Sequence, residues 1–225
     1  MHELDSRTLG PLNCFVQKVT EAGDFYFEIR QSSAGFCPVD EKSVTRVKVK
    51  ANKADRAQMR TAGTQHTVPV SYKDGVFQAQ EMPKDIVQGD AVLFHAAMRD
   101  APDFAVTGQM GRTPFSSTEL RDQAVFTHAF GLPGRYRWAD ANGADVGGVI
   151  VVENEPACGK AGAQRALERL SEGVLVHIVG NKVKPKELRI TTGQTVFFEV
   201  EDCDGITITD VSLLGDARRE KSAPC

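Results

Sequence analysis

GDAVLFHA at 89–96, APDFAVTG at 101–108 and VFTHAFGLPGRYRWADANGADVGGVIVVE at 125–153 are the pieces of one stretch, Gly89 to Glu153, from which the fold of this chain is read. The Gly-Asp pair at Gly89-Asp90 starts an alternating apolar strand. Phe126, Phe130, Tyr136 and Trp138 mark two aromatic strands joined by a turn at Leu132-Pro133-Gly134. The Val149-Ile150-Val151-Val152 run is the signature of a buried strand. Working outward, residues 12–50 repeat the later half of the stretch. CFVQKVTEAGDFYFEI superposes on VFTHAFGLPGRYRWAD at a constant offset, since 126 − 15, 134 − 23 and 138 − 27 all equal 111. Upstream, LDSRTL at 4–9 matches FSSTEL at 115–120 with the same offset. Aromatic and glycine positions held at one separation over such a span indicate an internal repeat.

The flanks complete the pattern. ANKADRAQMRTAG at 51–63 reads as a short helix with a glycine C-cap, and Ala161–Leu170 within 155–173 as a better one, rich in Ala, Gln, Arg, Leu and Glu. HTVPVSYKDGVFQAQ supplies opening strands around an Asp-Gly turn at Gly75. VLVHIVGNKVKPKELRITTGQTVFFEVEDCDGITIT, at 174–209, restarts the strand pattern.

The order of these pieces resembles the cupredoxin family, the Greek-key β-sandwich of plastocyanin and azurin. The resemblance implies an all-β chain of cupredoxin-like sandwich repeats joined by short helical connectors. A closing half would occupy 1–50 and a helical connector 51–63. A complete domain would span 64–154, a second connector 155–173, and an opening half 174–225 that pairs with 1–50 within the chain or between chains. A lone half-sandwich exposes strand edges and apolar faces, so the halves are expected to meet.

The resemblance also locates each copper-ligand place. Phe104 stands in the first-His place of one copy and Ile206 in that of another. The Cys place holds Asp140 in one copy and Ile29 in another. The second-His and Met places after Asp140 hold Gly143 and Val146. None of these side chains supplies the thiolate and paired imidazoles of a blue-copper centre. The family's loop geometry brings Cys37 and Cys203 to the same end of a joined pair of halves, which implies a Cys37–Cys203 disulfide in the place of the metal, and with it an oxidising compartment.

Composition excludes several functions. The 225 residues are 41% apolar with a net charge of -3, so no basic stripe points to nucleic acid. No apolar run approaches the length of a transmembrane helix, and MHELDSRTLG lacks a signal pattern. Either the chain is cytoplasmic, or it is extracellular with its leader removed, as the family resemblance implies. No Gly-x-Ser-x-Gly elbow or phosphate-cradling glycine loop suggests an enzyme. His2, His66, His95, His128 and His177 form no ligand motif and read as surface or strand residues. Asp103, Asp140 and Asp145 could offer oxygens to a hard cation, but their spacing matches no known loop. Lys182, Lys184 and Lys186 alternate along one strand, the pattern of a solvated face or an edge guard.

The expectation is therefore a non-enzymatic structural or interaction module without cofactors. Its partner would be itself or neighbouring repeats of the same protein, in an array or a head-to-tail filament. The alternative is a copper-handling or electron-transfer protein with an atypical metal site.

Overall fold

Alternation of apolar and polar residues makes sixteen strands and one α-helix among the described residues of the computed structural model, which are 4–32, 45–55, 57, 63–143, 145–154 and 159–214. The strands are β1 (Asn13–Lys18), β2 (Gly23–Gln31), β3 (Thr45–Ala51), β4 (Gln65–Lys73), β5 (Val76–Ala79), β6 (Ala91–Ala96), β7 (Phe104–Met110), β8 (Thr113–Ser116), β9 (Ala124–Ala129), β10 (Gly134–Asp140), β11 (Gly147–Glu153), β12 (Val174–Val179), β13 (Lys182–Lys184), β14 (Glu187–Thr191), β15 (Thr195–Glu201) and β16 (Ile208–Asp210). Helix α1 covers Gly159–Ser171, as its composition predicts. The chain is all-β in character.

Three sheets organise the strands. An eight-stranded sheet runs β13-β12-β15-β9-β1-β6-β4-β5, and two four-stranded sheets run β3-β2-β7-β8 and β14-β11-β10-β16. Phe27 of β2 packs edge-on against Phe94 of β6 at 5.0 Å between ring centroids, and Trp138 of β10 packs edge-on against Phe198 of β15 at 5.2 Å. Each four-stranded sheet thus lies over half of the large one, and the apolar faces between them form one continuous core.

The two halves are related by a pseudo-twofold axis through the middle of the large sheet. In β1, Phe15 pairs with Phe94 on one side and Phe126 on the other; in β9, Phe126 pairs with Phe15 and Phe198. Val68 stands opposite Phe94 and Val176 opposite Phe198, in the same register. Both outer pairs, Phe15 with Phe94 and Phe126 with Phe198, stack at 6.0 Å. The 111-residue offset seen in sequence is therefore a rotation in space.

This arrangement corrects the expected grouping of halves. Strand β1 sits between β6 and β9, β2 pairs with β3 and β7, and β10 pairs with β11 and β16. Segment 12–51 is completed by 64–116, and 124–153 by 174–210. Hence 64–154 is not one sandwich, and 174–225 does not complete 1–50. The repeat shows which strands are alike, and both groupings obey it equally. Long-range pairing decides between them, and Phe27 against Phe94 carries that choice. Segments 1–50 and 174–225 do touch, where Asp5 bridges Thr209 and Asp210 N–H donates to Leu4 O at 2.7 Å. Of the expected 51–63 connector, Ala51 ends β3 and Asn52 forms a parallel bridge with Val87; no helix occurs among its described residues.

Candidate functional site

The degenerate ligand places fall into two sets, one in each half. In the first half, β2 and β7 are antiparallel neighbours with Ile29 opposite Val106 and Gln31 opposite Phe104, so Ile29 and Phe104 come close together. Both are fully buried, and Phe104 packs on Phe77 at 5.9 Å. Leu9 seals the same end through paired backbone bonds with Phe104, 2.7 and 3.0 Å long. At the Ile29 and Phe104 places this half has a hydrocarbon plug.

In the second half, β10 pairs with β16, which sets Asp140 opposite Ile208 and beside Thr207, while Ile206 bridges Leu120 just before β16. Asp140 ends its strand opposite Ile208 and is buried. Its Oδ1 accepts from Thr207 N–H at 2.7 Å and from Asn142 N–H at 3.2 Å. Its backbone N–H donates to Val146 O at 2.9 Å, and Gly143 N–H donates to Asp140 O at 3.3 Å. Gly143 has a φ of +96°, which suits glycine at this tight return. Asn142 Nδ2 reaches Thr207 Oγ1 at 3.1 Å, and that hydroxyl donates to Thr118 O at 2.6 Å. One carboxylate ties the β10–β11 turn to the segment at Thr207. Ile206 and Val146 are both 3% exposed and fill the remaining space.

Asp103 stands apart from this set, since its carbonyl accepts from Ser32 N–H at 2.9 Å in the first half. The three aspartates therefore form no common cation site. Cys203 is a free thiol whose Sγ lies 3.1 Å from Gly180 O and 3.2 Å from Glu201 O. Burial pushes its pKa up, and Asp122, Asp202 and Asp204 add to the rise. Cys37 lies outside the described residues. The premise of a Cys37–Cys203 bridge, that their two segments complete one sandwich, is removed by the observed pairing.

The histidines divide by environment. His66 Nε2 bonds the buried Asp90 at 2.8 Å. His128 is buried, with Nδ1 on Asn13 Oδ1 at 2.5 Å and its ring edge-on to Phe130 at 4.6 Å. His177 faces outward from β12, with Nε2 3.1 Å from Glu199 Oε2 on the neighbouring strand. A ligand atom from each of His177, Glu199 and Glu201 lies within 4.8 Å of the other two. No sequence motif links them, because the donors come from two strands more than twenty residues apart. Only the register His177 opposite Glu199 brings them together.

The outer face of the large sheet is a second feature that the sequence did not flag. One cross-strand row runs Leu175, Phe197, Thr127, Cys14, His95 and Pro69. The next runs His177, Glu199, Val125, Val16, Leu93 and Thr67. Leu175 is 43% exposed, Val179 39% and Phe197 37%, and no element of the described chain covers them. Lys182 and Lys184 lie on the edge strand β13, as an edge guard should. No family model, curated protein or solved structure matches this chain.

Proposed function

We propose that the chain is a non-enzymatic structural or interaction module, built of two copper-free, cupredoxin-like Greek-key sandwiches that share one sheet. The observation that carries this reading is the closure of both sets of ligand places. Ile29 and Phe104 leave no polar donor in one half, and the Asp140 carboxylate in the other is occupied by backbone N–H groups. Blue-copper chemistry needs a thiolate and imidazoles converging on one point. At these places there are none.

The contact surface in this reading is the outer face of the eight-stranded sheet, and the partner is a second copy. Eight strands at about 4.8 Å spacing give a face roughly 38 Å across, with about three outward residues per strand. That is on the order of 750 Å² per partner, close to the ~800 Å² of a standard interface. The face has apolar positions on both sides of the pseudo-twofold axis, so two copies laid face to face meet apolar on apolar. Exchange of half-sandwiches between chains is not needed, because each closing half already has its partner in the same chain.

Cupric and cuprous ion added to the protein test the copper-free part. The expected result is no thiolate-to-copper absorption band. Cys14 and His95 are cross-strand partners on the outer face, so a strong stoichiometric band that disappears in Cys14→Ser would overturn this reading in favour of an atypical copper protein. Light scattering of wild type and Phe197→Glu tests the partner. A dimer that dissociates in the variant is expected, and a wild type that stays monomeric at high concentration would exclude the second copy.

A further inference from the structure

We propose that His177, Glu199 and Glu201 form a site for a divalent transition ion of the zinc class, a function beyond the interaction module, on the same outer sheet face that the module offers to a second copy. Parallel pairing of β12 and β15 puts His177 directly opposite Glu199, and Glu201 follows two residues along on the same face. Their ligand atoms lie within 4.8 Å of one another, and small side-chain rotations bring them to the separations of roughly 3.4 Å that a tetrahedral ion with bonds of about 2.0–2.2 Å needs. One imidazole with two carboxylates suits a borderline ion better than calcium or magnesium, which prefer all-oxygen shells.

The cluster is not what the fold alone requires. The pseudo-twofold places Pro69 where His177 stands and His95 where Glu199 stands, because Val68 opposite Phe94 repeats Val176 opposite Phe198. The same strand pair thus forms in the first half without these donors. In the second half two carboxylates sit side by side on one strand, with apolar Phe197, Val179 and Val125 around them. The Glu199 and Glu201 carboxylates repel each other at this spacing, and a divalent cation between them removes that repulsion. Lys184, opposite His177 on β13, is the nearest basic residue in the register; no charged residue faces the site from β9, where Val125 stands opposite Glu199. Three protein donors leave coordination positions for water.

The test is calorimetric titration of zinc chloride into the intact chain, with calcium and magnesium as controls, on wild type, His177→Ala and the double variant Glu199→Gln/Glu201→Gln. Thermal melts without metal establish that the variants are folded. The expected result is stoichiometric zinc binding, a weaker response to calcium and magnesium, and an affinity loss of roughly tenfold or more in each variant. Wild-type affinity should fall as the solution is acidified, since protons compete with the ion for its ligands. Binding of equal strength in wild type and variants would place the ion elsewhere and overturn the assignment, as would the absence of zinc binding by wild type. The copper-band experiment reads a thiolate, which this site does not contain, so the copper-free reading and the zinc site can each fail without the other.

Discussion

Phe15 and Phe126 stand opposite each other across the seam between β1 and β9, and they are also equivalent positions of the internal repeat. An antiparallel pair of equivalent residues is what a twofold axis through that pair produces. The seam has the form of an isologous dimer interface written into one chain. Its hydrogen bonds make one sheet of two half-sheets, so neither half has an exposed edge at the centre.

From this follows cooperative unfolding. The two halves share a sheet and a continuous core, so thermal or denaturant melts should show one transition rather than two. Phe15→Ala should destabilise by about 3–5 kcal/mol, the usual cost of emptying a buried aromatic site. Because Phe15 lies at the junction, probes in both halves should shift by the same amount. A variant in which only one half melts early would show that the seam does not couple them.

Asp90 predicts a pH dependence. Burial raises its pKa, but Val87 N–H at 2.9 Å, His66, and Thr64 N–H at 2.9 Å outweigh that and hold it below the ordinary aspartate value. A folded-state pKa below the unfolded one gives stability that is complete above the unfolded value, about 3.9, and is lost as pH falls through the folded one. Stability curves should therefore show an acid decline below about pH 4 that is shallower in Asp90→Asn. Equal slopes for wild type and variant would remove this assignment. At the equivalent place in the second half, Gln194 Oε1 accepts from Thr191 N–H at 2.8 Å, so the same turn is held there by a group that does not titrate.

What could be read from the sequence follows from how local its cause is. The Phe15/Phe126 and Phe27/Trp138 equivalences, the Gly89-Asp90 turn and helix α1 come from short-range pattern and were legible. The choice of partner for each half was not, because Phe27 could meet the ring of either copy's strand without any change in periodicity. That Ile29 comes beside Phe104 and Asp140 beside Thr207 follows only from the pairing of β2 with β7 and of β10 with β16. The His177 cluster and the outer rows depend on strand register, which one sequence does not specify. That Asp140 carries a carboxylate is plain from the sequence, but that this carboxylate bonds the N–H groups of Thr207 and Asn142 is not.

The Asp140 carboxylate makes a stability prediction. The bonds from Thr207 N–H and Asn142 N–H converge on its Oδ1, and an asparagine can keep these two through its carbonyl. Asp140→Asn should therefore cost less than Asp140→Ala. Asp140→Ala leaves the buried Thr207 N–H without its acceptor and should cost about 2–3 kcal/mol. Denaturant midpoints of the two variants check the order. If Asp140→Ala is as stable as wild type, the carboxylate does not pin the β10–β11 turn.

Cys203 gives the last prediction. Its thiol lies against the carbonyls of Gly180 and Glu201, and burial with three nearby aspartates raises its pKa. Alkylation and disulfide exchange both need the thiolate, so both are suppressed at neutral pH. Cys14 is likewise raised, chiefly by burial. Native protein treated with iodoacetamide near pH 7.5 should therefore modify Cys203 and Cys14 more slowly than denatured protein, because the raised pKa lowers their thiolate fraction. Peptide mapping without reductant should then recover Cys203 as a free-thiol peptide. Recovery of Cys203 joined to Cys37 would restore the disulfide and show that the loop after β2 reaches across from the first half to the second.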